Sequence, residues 1–336
     1  MNNLFISASP HLHSGDTIKK NMYGVVLAMV PAMLLSFLYF GMRAFLVTVV
    51  AVISCILVEY LIQKFILKTK TTINDGSALI TGILLAFNVP SSVPLWIIVI
   101  GAIASMGIAK LSFGGLGNNI FNPALVGRVF LLISFPVQMT SWPIPSTLSD
   151  KIVKGSTDAF TGATPLALLK EGVANGESVA TIMEQNNFPT YQDMLMGNVG
   201  GSLGEVAAVA IILGLAFMLI RKIITWHIPT SIIGTVIIFT SILHLSNPEH
   251  YVDPLFHILS GGLLLGAVFM ATDYVTSPMS GKGKIIYGAG IGLLTIIIRE
   301  FGAYPEGMSF AILIMNAFTP LINTYFKPER FGHSKK

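Results

Sequence analysis

The stretch DAFTGATPL, residues 158–166, lies in the longest polar interval of an otherwise apolar chain. Apolar runs of membrane-spanning length flank that interval, residues 139–203, on both sides. Thr164 is a good N-cap, and Pro165 suits the first position of a helix that we expect to end at Gly172. A helix start exposes N–H groups and the positive end of the dipole, so it can hold a phosphate. Taken alone, the pattern is more typical of a simple helix cap than of a ligand site.

The composition indicates an integral membrane protein. Of the 336 residues, 53% are hydrophobic and only 11% are charged, whereas a soluble domain carries about 25% charged residues. The single cysteine, Cys55, cannot hold an iron–sulfur cluster, which takes about four ligands. The seven histidines are scattered without a metal-ligand spacing, and no basic patch with aromatic residues suits nucleic acid. We therefore predict no metal site, no catalytic side chain and no nucleic-acid partner.

Ten apolar runs are predicted to cross the membrane as helices, five before the polar interval and five after it. Their predicted bounds are 22–40, 45–66, 75–89, 95–111 and 123–135, then 203–220, 229–245, 255–272, 285–298 and 308–326. The chain then divides into an N-terminal segment (1–20), a five-helix repeat (21–138), an outer-face loop (139–203), a second five-helix repeat (204–326) and a basic tail (327–336). The predicted class is an all-α polytopic membrane protein.

Positively charged residues are distributed unequally between the two faces. With the N-terminus in the cytoplasm, 14 lysines and arginines fall inside, Lys110 among them, five fall outside, and Arg128 is left within the membrane. The five outer residues are Arg43, Lys151, Lys154, Lys170 and Arg299. The positive-inside rule then places both termini in the cytoplasm and the Thr164 loop on the outer, periplasmic side.

The two halves are predicted to be inverted repeats with broken helices. Five spans per half make the halves insert with opposite orientation, and residues 76–86 weakly resemble residues 261–271. The third span is short, because residues 75–88 cover about 21 Å as a helix against a hydrocarbon core of about 30 Å. The fifth span, from Pro123, is similar. Short, Gly- and Pro-interrupted helices of this kind point to a site near the membrane midplane.

Ionisable residues within the spans are candidates for function, because each costs about 2.5–3.5 kcal/mol at a helix centre. Glu59, Asp75 and Asp273 are the candidates for an ion path. Asp75 suits a helix cap equally well, and we expect Glu59, near the inner end of its span, to reach the membrane surface. Arg128 requires a partner, which is a carboxylate, a set of backbone carbonyls or an anionic cofactor.

A second distinctive run, FGGLGNNIFNPALVGR, covers residues 113–128. Its glycines allow close backbone approach, and Asn119 and Asn122 offer donors and acceptors without charge. Such a run suits a neutral polar ligand, for example an isoalloxazine ring or a ribityl chain. It suits a tight helix crossing built on small residues equally well, and both interpretations stay open.

Three motifs together resemble those of the D subunit of the Rnf redox pump, over nearly the whole chain. They are residues 75–82, the run from residue 114 to residue 124, and the pattern Asp-x-x-Thr-Gly-Ala-Thr formed by Asp158, Thr161, Gly162, Ala163 and Thr164. The homologous B subunit of the sodium-pumping quinone reductase is similar but usually has a longer N-terminal region.

The resemblance implies a flavoprotein subunit of an electron-transfer pump in the bacterial inner membrane. In the family, a flavin transferase joins FMN through its phosphate to the last threonine of the motif, here Thr164. The complex moves electrons between ferredoxin and NAD and couples them to Na⁺ or H⁺ transport. The implied partners are the A, B, C, E and G subunits of Rnf, above all the flavinylated G subunit. A second, non-covalent riboflavin is implied in the membrane part, where Asn119, Asn122 and Arg128 are the candidate contacts.

Two alternatives remain from the sequence. One is a role like that of the B subunit in the Na⁺-translocating NADH:quinone reductase. The other is a channel or solute transporter with the same inverted repeats and no flavin, because broken helices and a polar midplane fit that function as well. The motif that ends at Thr164 separates the flavoprotein from the transporter.

Overall fold

Helices make up most of the chain in the computed structural model, which describes residues 16–145, 161–185, 188–205 and 208–327. Asp158 of the attachment motif lies outside these residues. Apart from helices, their regular structure is one antiparallel pair, β1 (Trp142–Pro143) and β2 (Thr161–Gly162), with Trp142 opposite Gly162. The predicted class is confirmed: the chain is an all-α membrane protein.

The helices fall into three groups along the chain. The first group is α1 (Ile18–Phe40), α2 (Met42–Leu61), α3 (Ser77–Phe87), α4 (Leu95–Ile103), α5 (Pro123–Ser134) and α6 (Pro136–Met139). The second is α7 (Pro165–Ala174), α8 (Val179–Gln185) and α9 (Tyr191–Met196). The third is α10 (Ala208–Ile220), α11 (His227–Ser246), α12 (Pro254–Leu259), α13 (Leu263–Leu265), α14 (Gly281–Phe301) and α15 (Met308–Tyr325).

Six helices of the described residues are long and apolar enough to cross a membrane. They are Ile18–Phe40, Met42–Ile66, Leu95–Phe113, His227–Ser246, Gly281–Phe301 and Met308–Tyr325. The predicted shortness of the third and fifth spans is confirmed, because α3 has 11 residues and α5 has 12. Neither reaches across a core of about 30 Å at about 1.5 Å per residue.

Several helices leave the regular α conformation where they approach one another. Short π-helical segments, Ile62–Ile66, Ala104–Lys110 and Gly266–Met270, extend α2, α4 and α13. Two 3₁₀ turns, Ile73–Asp75 and Leu111–Phe113, precede α3 and follow the extension of α4. The segment predicted as one span over residues 255–272 is divided, because residues 260–262 separate α12 from α13. Gly261 has a φ of +65° there, a conformation that favours glycine.

Several helices start at a residue whose side chain accepts hydrogen bonds from their free N–H groups. Asn122 accepts hydrogen bonds from the N–H groups of Ala124 (3.0 Å) and Leu125 (3.4 Å), and Pro123 follows it at the first helical position. Thr190 and Asp193 form a capping box at the start of α9. Asn122, Thr164 and Ser280 are polar N-caps, and each marks a helix start that the local sequence predicts.

Glycines bring the helix backbones together in the interior. A Cβ on Gly214 of α10 would lie 2.6 Å from the carbonyl oxygen of Ala28 in α1, and one on Gly292 of α14 would lie 2.9 Å from that of Ile232 in α11. Such close contacts replace the hydrophobic driving force that helices lack inside a bilayer. The largest buried apolar cluster therefore lies where the two groups of long helices meet, with Met29, Ile211 and Tyr287 in it.

Gly82 of α3 is expected to be a glycine that cannot accept a side chain. A Cβ there would lie 2.6 Å from the Cα and 3.0 Å from the N of Val52, which are backbone atoms of α2 that cannot rotate away. We expect Gly82→Ala to lower the free energy of unfolding by about 1–3 kcal/mol. Gly234→Ala in α11 is the matched control, because nothing lies within 4 Å of its added Cβ, and a gain of up to about 1 kcal/mol is expected. Thermal unfolding in detergent measures both, and equal shifts would contradict the packing described for α2 and α3.

Candidate functional site

Thr164 caps helix α7 and is buried. Its Oγ1 accepts a hydrogen bond from the N–H of Ala167 (3.2 Å), Pro165 occupies the first helical position, and Thr164 is 4% exposed. The predicted helix start is confirmed. The predicted end is wrong, because α7 continues through Gly172 to Ala174. A Cβ on Gly172 would lie 2.6 Å from Ile182 Cδ1, so this glycine serves the packing of α7 on α8.

A pocket of about 370 Å³ lies beside the start of α7, and we call it the Thr164 pocket. Its wall is made by the start of α7, by the segment before α10, and by the break between α12 and α13. The lining residues are Thr164, Pro165, Leu166, Met194, Val199, Gly200, Gly201, Glu205, Leu259, Ser260 and Gly261.

The break between α12 and α13 has to be glycine-rich to fit against this pocket. A Cβ on Gly261 would lie 2.9 Å from both Leu166 Cδ1 and Arg299 Nη2. A Cβ on Gly262 would lie 2.9 Å from Glu205 Oε1. The broken span thus approaches α7 on one side and buried charged groups on the other.

Two buried polar atoms on the wall of the Thr164 pocket have no hydrogen-bond partner among the described residues, Ser260 Oγ and Glu205 Oε1. Because buried polar atoms in folded proteins are nearly always paired, such atoms suit a bound polar group. A flavin attached at Thr164 has ribityl hydroxyls and ring N–H and carbonyl groups of the required kind. The residues present therefore fit a flavin.

Positive charge is buried behind the pocket. Arg299 of α14 is 3% exposed and donates to the carbonyl oxygens of His257 (2.7 Å) and Ser260 (3.0 Å), which ties α14 to the broken span. The guanidinium of Arg299 lies against Gly261, so its charge can favour an anionic group in the pocket.

Lys170 ties α7 to the end of α14. Its Nζ donates to three carbonyl oxygens, those of Arg299 (2.9 Å), Gly302 (2.5 Å) and Tyr304 (3.2 Å). A cation at this place also complements the negative end of the helix dipole. Burial lowers the pKa of Lys170 from its ordinary value, and the Glu300 carboxylate acts in the opposite direction to a smaller extent. The helix that carries Thr164 is thus held by the helix that carries Arg299.

Lys170→Met is expected to loosen α7. The change removes charge-assisted hydrogen bonds, each worth about 1.5–3 kcal/mol, so we expect faster amide hydrogen exchange in α7 and a lower unfolding temperature. Lys282→Met is the control, because Lys282 lies at the other end of α14, in its first turn. Hydrogen exchange followed by mass spectrometry measures the effect. Unchanged exchange in α7 would mean that Lys170 does not hold it.

A larger cavity of about 750 Å³, here called the Asn122 cavity, lies between the two groups of long helices. It is lined by residues from both, including Ser77, Thr81, Lys110, Asn119, Asn122, Phe269 and Asp273. Asn122 Nδ2 donates to the carbonyl oxygen of Met270 (3.1 Å), so the start of α5 is joined to the end of the broken span. Both Asn119 and Asn122 are buried.

The structure brings some of the predicted site residues together and separates others. Asn119, Asn122 and Asp273 line one cavity. Arg128 does not line it and faces another space of about 470 Å³ with Glu306, its ion-pair partner. Asp75 accepts hydrogen bonds from the N–H (2.7 Å) and Oγ (2.6 Å) of Ser77, but it ends the preceding 3₁₀ turn, and Gly76 is the N-cap of α3.

Two expectations for the inner ends of α2 and α4 are wrong. Glu59 does not reach the membrane surface, because it is fully buried, and Lys110 is 2% exposed instead of lying free in the cytoplasm. The two side chains form an ion pair, with Lys110 Nζ 2.8 Å from Glu59 Oε1. Each charge is stable inside the protein because the other compensates it. Removing Lys110 from the inner group still leaves a clear excess of inner positive charges.

Sequence reasoning missed Glu306, Ser260 and the role of Lys170. Glu306 follows the predicted ninth span and Lys170 lies in the loop, positions that are typical of surface charges. The usable signal was the buried Arg128, which had to find a carboxylate somewhere in the chain. Nothing in the local sequence indicated which carboxylate pairs with Arg128.

Comparison with known proteins assigns this chain to a family. Residues 5–332 match the model of the NQR2, RnfD, RnfE family. The chain is 42% identical over 336 residues to the D subunit of the Na⁺-translocating ferredoxin:NAD⁺ oxidoreductase complex of Acetobacterium woodii, covering 99% of this chain and 96% of the relative.

Two further relatives are similar over nearly their full lengths. The D subunit of the proton-translocating ferredoxin:NAD⁺ oxidoreductase complex of Clostridium ljungdahlii is 41% identical, with 98% of this chain and 97% of the relative covered. The D subunit of the ion-translocating oxidoreductase complex of Escherichia coli is 38% identical, with 98% and 99% covered. The chain, with its interrupted helices and its buried Thr164 helix start, belongs to the NQR2, RnfD, RnfE family.

Proposed function

We propose that this chain is the D subunit of a bacterial ion-translocating ferredoxin:NAD oxidoreductase, and that it carries FMN as a phosphodiester on Thr164. The observation that carries the proposal is the buried Thr164 cap beside a pocket with unpaired polar atoms. The relatives named above support the same assignment, since they are the D subunits of such complexes. The chain acts as part of the complex and is not expected to be active alone.

The residues around Thr164 have distinct tasks in this proposal. The start of α7 and the Arg299 guanidinium favour the negative charge of the phosphodiester. Glycines 200, 201 and 261 line the pocket, and Ser260 and Glu205 offer polar atoms to the cofactor. FMN, when bound, supplies the electron-transfer chemistry, and the protein sets its position and electrostatic environment.

The ten-span topology with two inverted repeats belongs to the same proposal. The packing supports it, because α2 packs on α3 and α4 in the first half as α11 packs on α12 and α14 in the second. The first helices of the halves, α1 and α10, pack on each other. Both termini then lie in the cytoplasm, and Thr164 lies on the periplasmic side of the inner membrane, where a flavin transferase and the flavinylated G subunit reach it.

The Asn122 cavity is the proposed site of a second, non-covalent flavin such as riboflavin. Its lining combines a few polar side chains with many apolar ones, as small-molecule sites do. Asn119 and Asn122 would orient the polar groups of the ring, and the surrounding apolar side chains would hold its faces. Arg128 does not line this cavity and forms a structural ion pair with Glu306 instead.

In this proposal the complex moves electrons between ferredoxin and NAD and couples them to the transport of Na⁺ or H⁺. The other members of the complex are the A, B, C, E and G subunits. The relatives include one Na⁺-translocating and one proton-translocating complex. The family also includes the NQR2 proteins, so a place in a quinone reductase is the second candidate. Purifying the native complex and testing it with ferredoxin and with quinone separates the two.

The test of the cofactor is made on the protein from its own host membranes. After denaturing electrophoresis, a covalent flavin gives a fluorescent band under ultraviolet light, and we expect peptide mass spectrometry to place FMN on Thr164. An unmodified Thr164 peptide in the active complex would overturn the proposal.

A further inference from the structure

A buried hydrogen-bond network runs along the wall of the Asn122 cavity. Lys110 Nζ lies 2.8 Å from Glu59 Oε1 and 2.6 Å from Ser77 Oγ, and Ser77 Oγ donates to Asp75 Oδ1 (2.6 Å). Ser77 and Lys110 line the cavity, whereas Glu59 lies behind them and is fully buried. Two of the ion-path candidates, Glu59 and Asp75, are thus connected through a lysine.

The ammonium group of Lys110 occupies a place rich in oxygen atoms. Glu59 Oε1 also accepts from Thr72 Oγ1 (3.2 Å) and from Gln63 Nε2 (3.3 Å). Glu59 Oε2 is buried and has no hydrogen-bond partner among the described residues. A carboxylate with hydroxyl groups around it is a suitable environment for a small monovalent cation, and here the ammonium group stands in that position.

The backbone around this network is irregular on both sides. Glu59 lies just before the π-helical segment Ile62–Ile66, and Lys110 is the last residue of the π-helical segment Ala104–Lys110. Such segments lack the regular α-helical hydrogen bonds and frequently occur at functional sites. Lys110 lines the cavity while its ammonium group is paired with Glu59, so one side chain connects the two places.

We propose that Lys110 is a tethered cation that occupies a monovalent-cation site formed by Glu59, Thr72 and Ser77. When an electron supplied by reduced ferredoxin adds negative charge to the flavin proposed for the Asn122 cavity, the ammonium group moves toward that charge and leaves the Glu59 carboxylate to a cation from solution. The return of the ammonium group displaces that cation. This coupling rests on the proposed function of the chain in an ion-translocating complex.

If the Lys110–Glu59 ion pair were purely structural, its replacement would be expected to have a different effect. Removing one partner of a buried pair leaves an uncompensated charge, whereas replacing both by neutral residues is often tolerated. A structural pair replaced in this way should therefore leave both electron transfer and ion transport intact. A coupling pair should leave electron transfer and lose ion transport.

The experiment uses the complete complex, reconstituted in liposomes, with reduced ferredoxin and NAD⁺. Wild type, Lys110→Met, Glu59→Gln and the double variant are compared for ²²Na⁺ uptake and internal acidification per NADH formed, with flavin content as the check of assembly. Lys284→Met is the control, because Lys284 donates to Thr225 Oγ1 and does not line the cavity. Uptake of ²²Na⁺ identifies sodium as the cation, and acidification insensitive to sodium identifies the proton.

We expect the double variant to assemble and to form NADH while its ion uptake falls to the background level of vesicles without ferredoxin. Any of the three variants that assembles and pumps at the wild-type ratio overturns the proposal. If none assembles, the pair is structural and the proposal is equally overturned. A wild-type complex without flavin on Thr164 that still pumps would refute the proposed cofactor and leave this test unaffected.

Discussion

Thr164→Val is expected to abolish both the covalent flavin and electron transfer through the complex. Valine has nearly the shape of threonine but lacks Oγ1, the side-chain atom that forms the phosphodiester. The loss of the cap costs about 0.5–2 kcal/mol, which the Lys170 contacts and the packing of α7 on α8 allow the fold to absorb. Ultraviolet fluorescence of the denatured protein measures the first effect, and NADH formation from reduced ferredoxin measures the second.

Thr190→Val is the matched control for this experiment. Thr190 caps α9 in the same region of the chain, where its side chain accepts from the N–H of Asp193 (3.2 Å) and donates to Asp193 Oδ2 (2.6 Å). We expect this variant to lose a helix cap of the same kind and to keep full fluorescence. A fluorescent Thr164→Val protein would place the flavin on another residue. Loss of fluorescence in both variants would indicate a general folding defect.

Breaking the Arg128–Glu306 pair is expected to have the largest effect on stability. The two side chains are 7% and 10% exposed, and they join α5 to the segment before α15. Arg128→Met or Glu306→Met alone leaves the other charge buried without its ion-pair partner, which costs about 3–5 kcal/mol. Replacing both by methionine is expected to recover most of that loss, because two apolar side chains need no compensation.

Denaturant unfolding in mixed micelles measures this cycle. Lys20→Met is the control, since Lys20 pairs with Asp16 at the surface, where the side chains are 52% and 63% exposed, and surface pairs contribute about 0–1 kcal/mol. Additive losses in the double variant would show that Arg128 and Glu306 act independently, and would contradict the structural role given to Arg128 here.

The local elements of this protein follow from residues close together in the chain. Apolar runs predict the long helices, and the shortness of α3 and α5 follows from flanking Gly, Asn and Pro. Thr164 followed by Pro165 predicts the start of α7. These signals are local because helix hydrogen bonds and caps join residues three or four apart.

Local patterns fail where a residue serves a distant neighbour. Gly172 is typical of a helix end, but in α7 it is a contact for Ile182 of the next helix. The position of Lys110 after an apolar run indicates a cytoplasmic charge, yet the side chain is buried. Its partner Glu59 lies 51 positions earlier, and no local rule joins them.

Hydropathy, helix caps and the attachment motif were therefore enough to establish the membrane class, the main helices and Thr164 as the candidate attachment residue. Only the tertiary structure determined which charges are buried together, that Asn119, Asn122 and Asp273 share a cavity, and that Arg128 is excluded from it. The reason is physical. Pairing of buried charges depends on which helices pack together, and residues such as Arg128 and Glu306, 178 positions apart, meet only when the whole chain has folded.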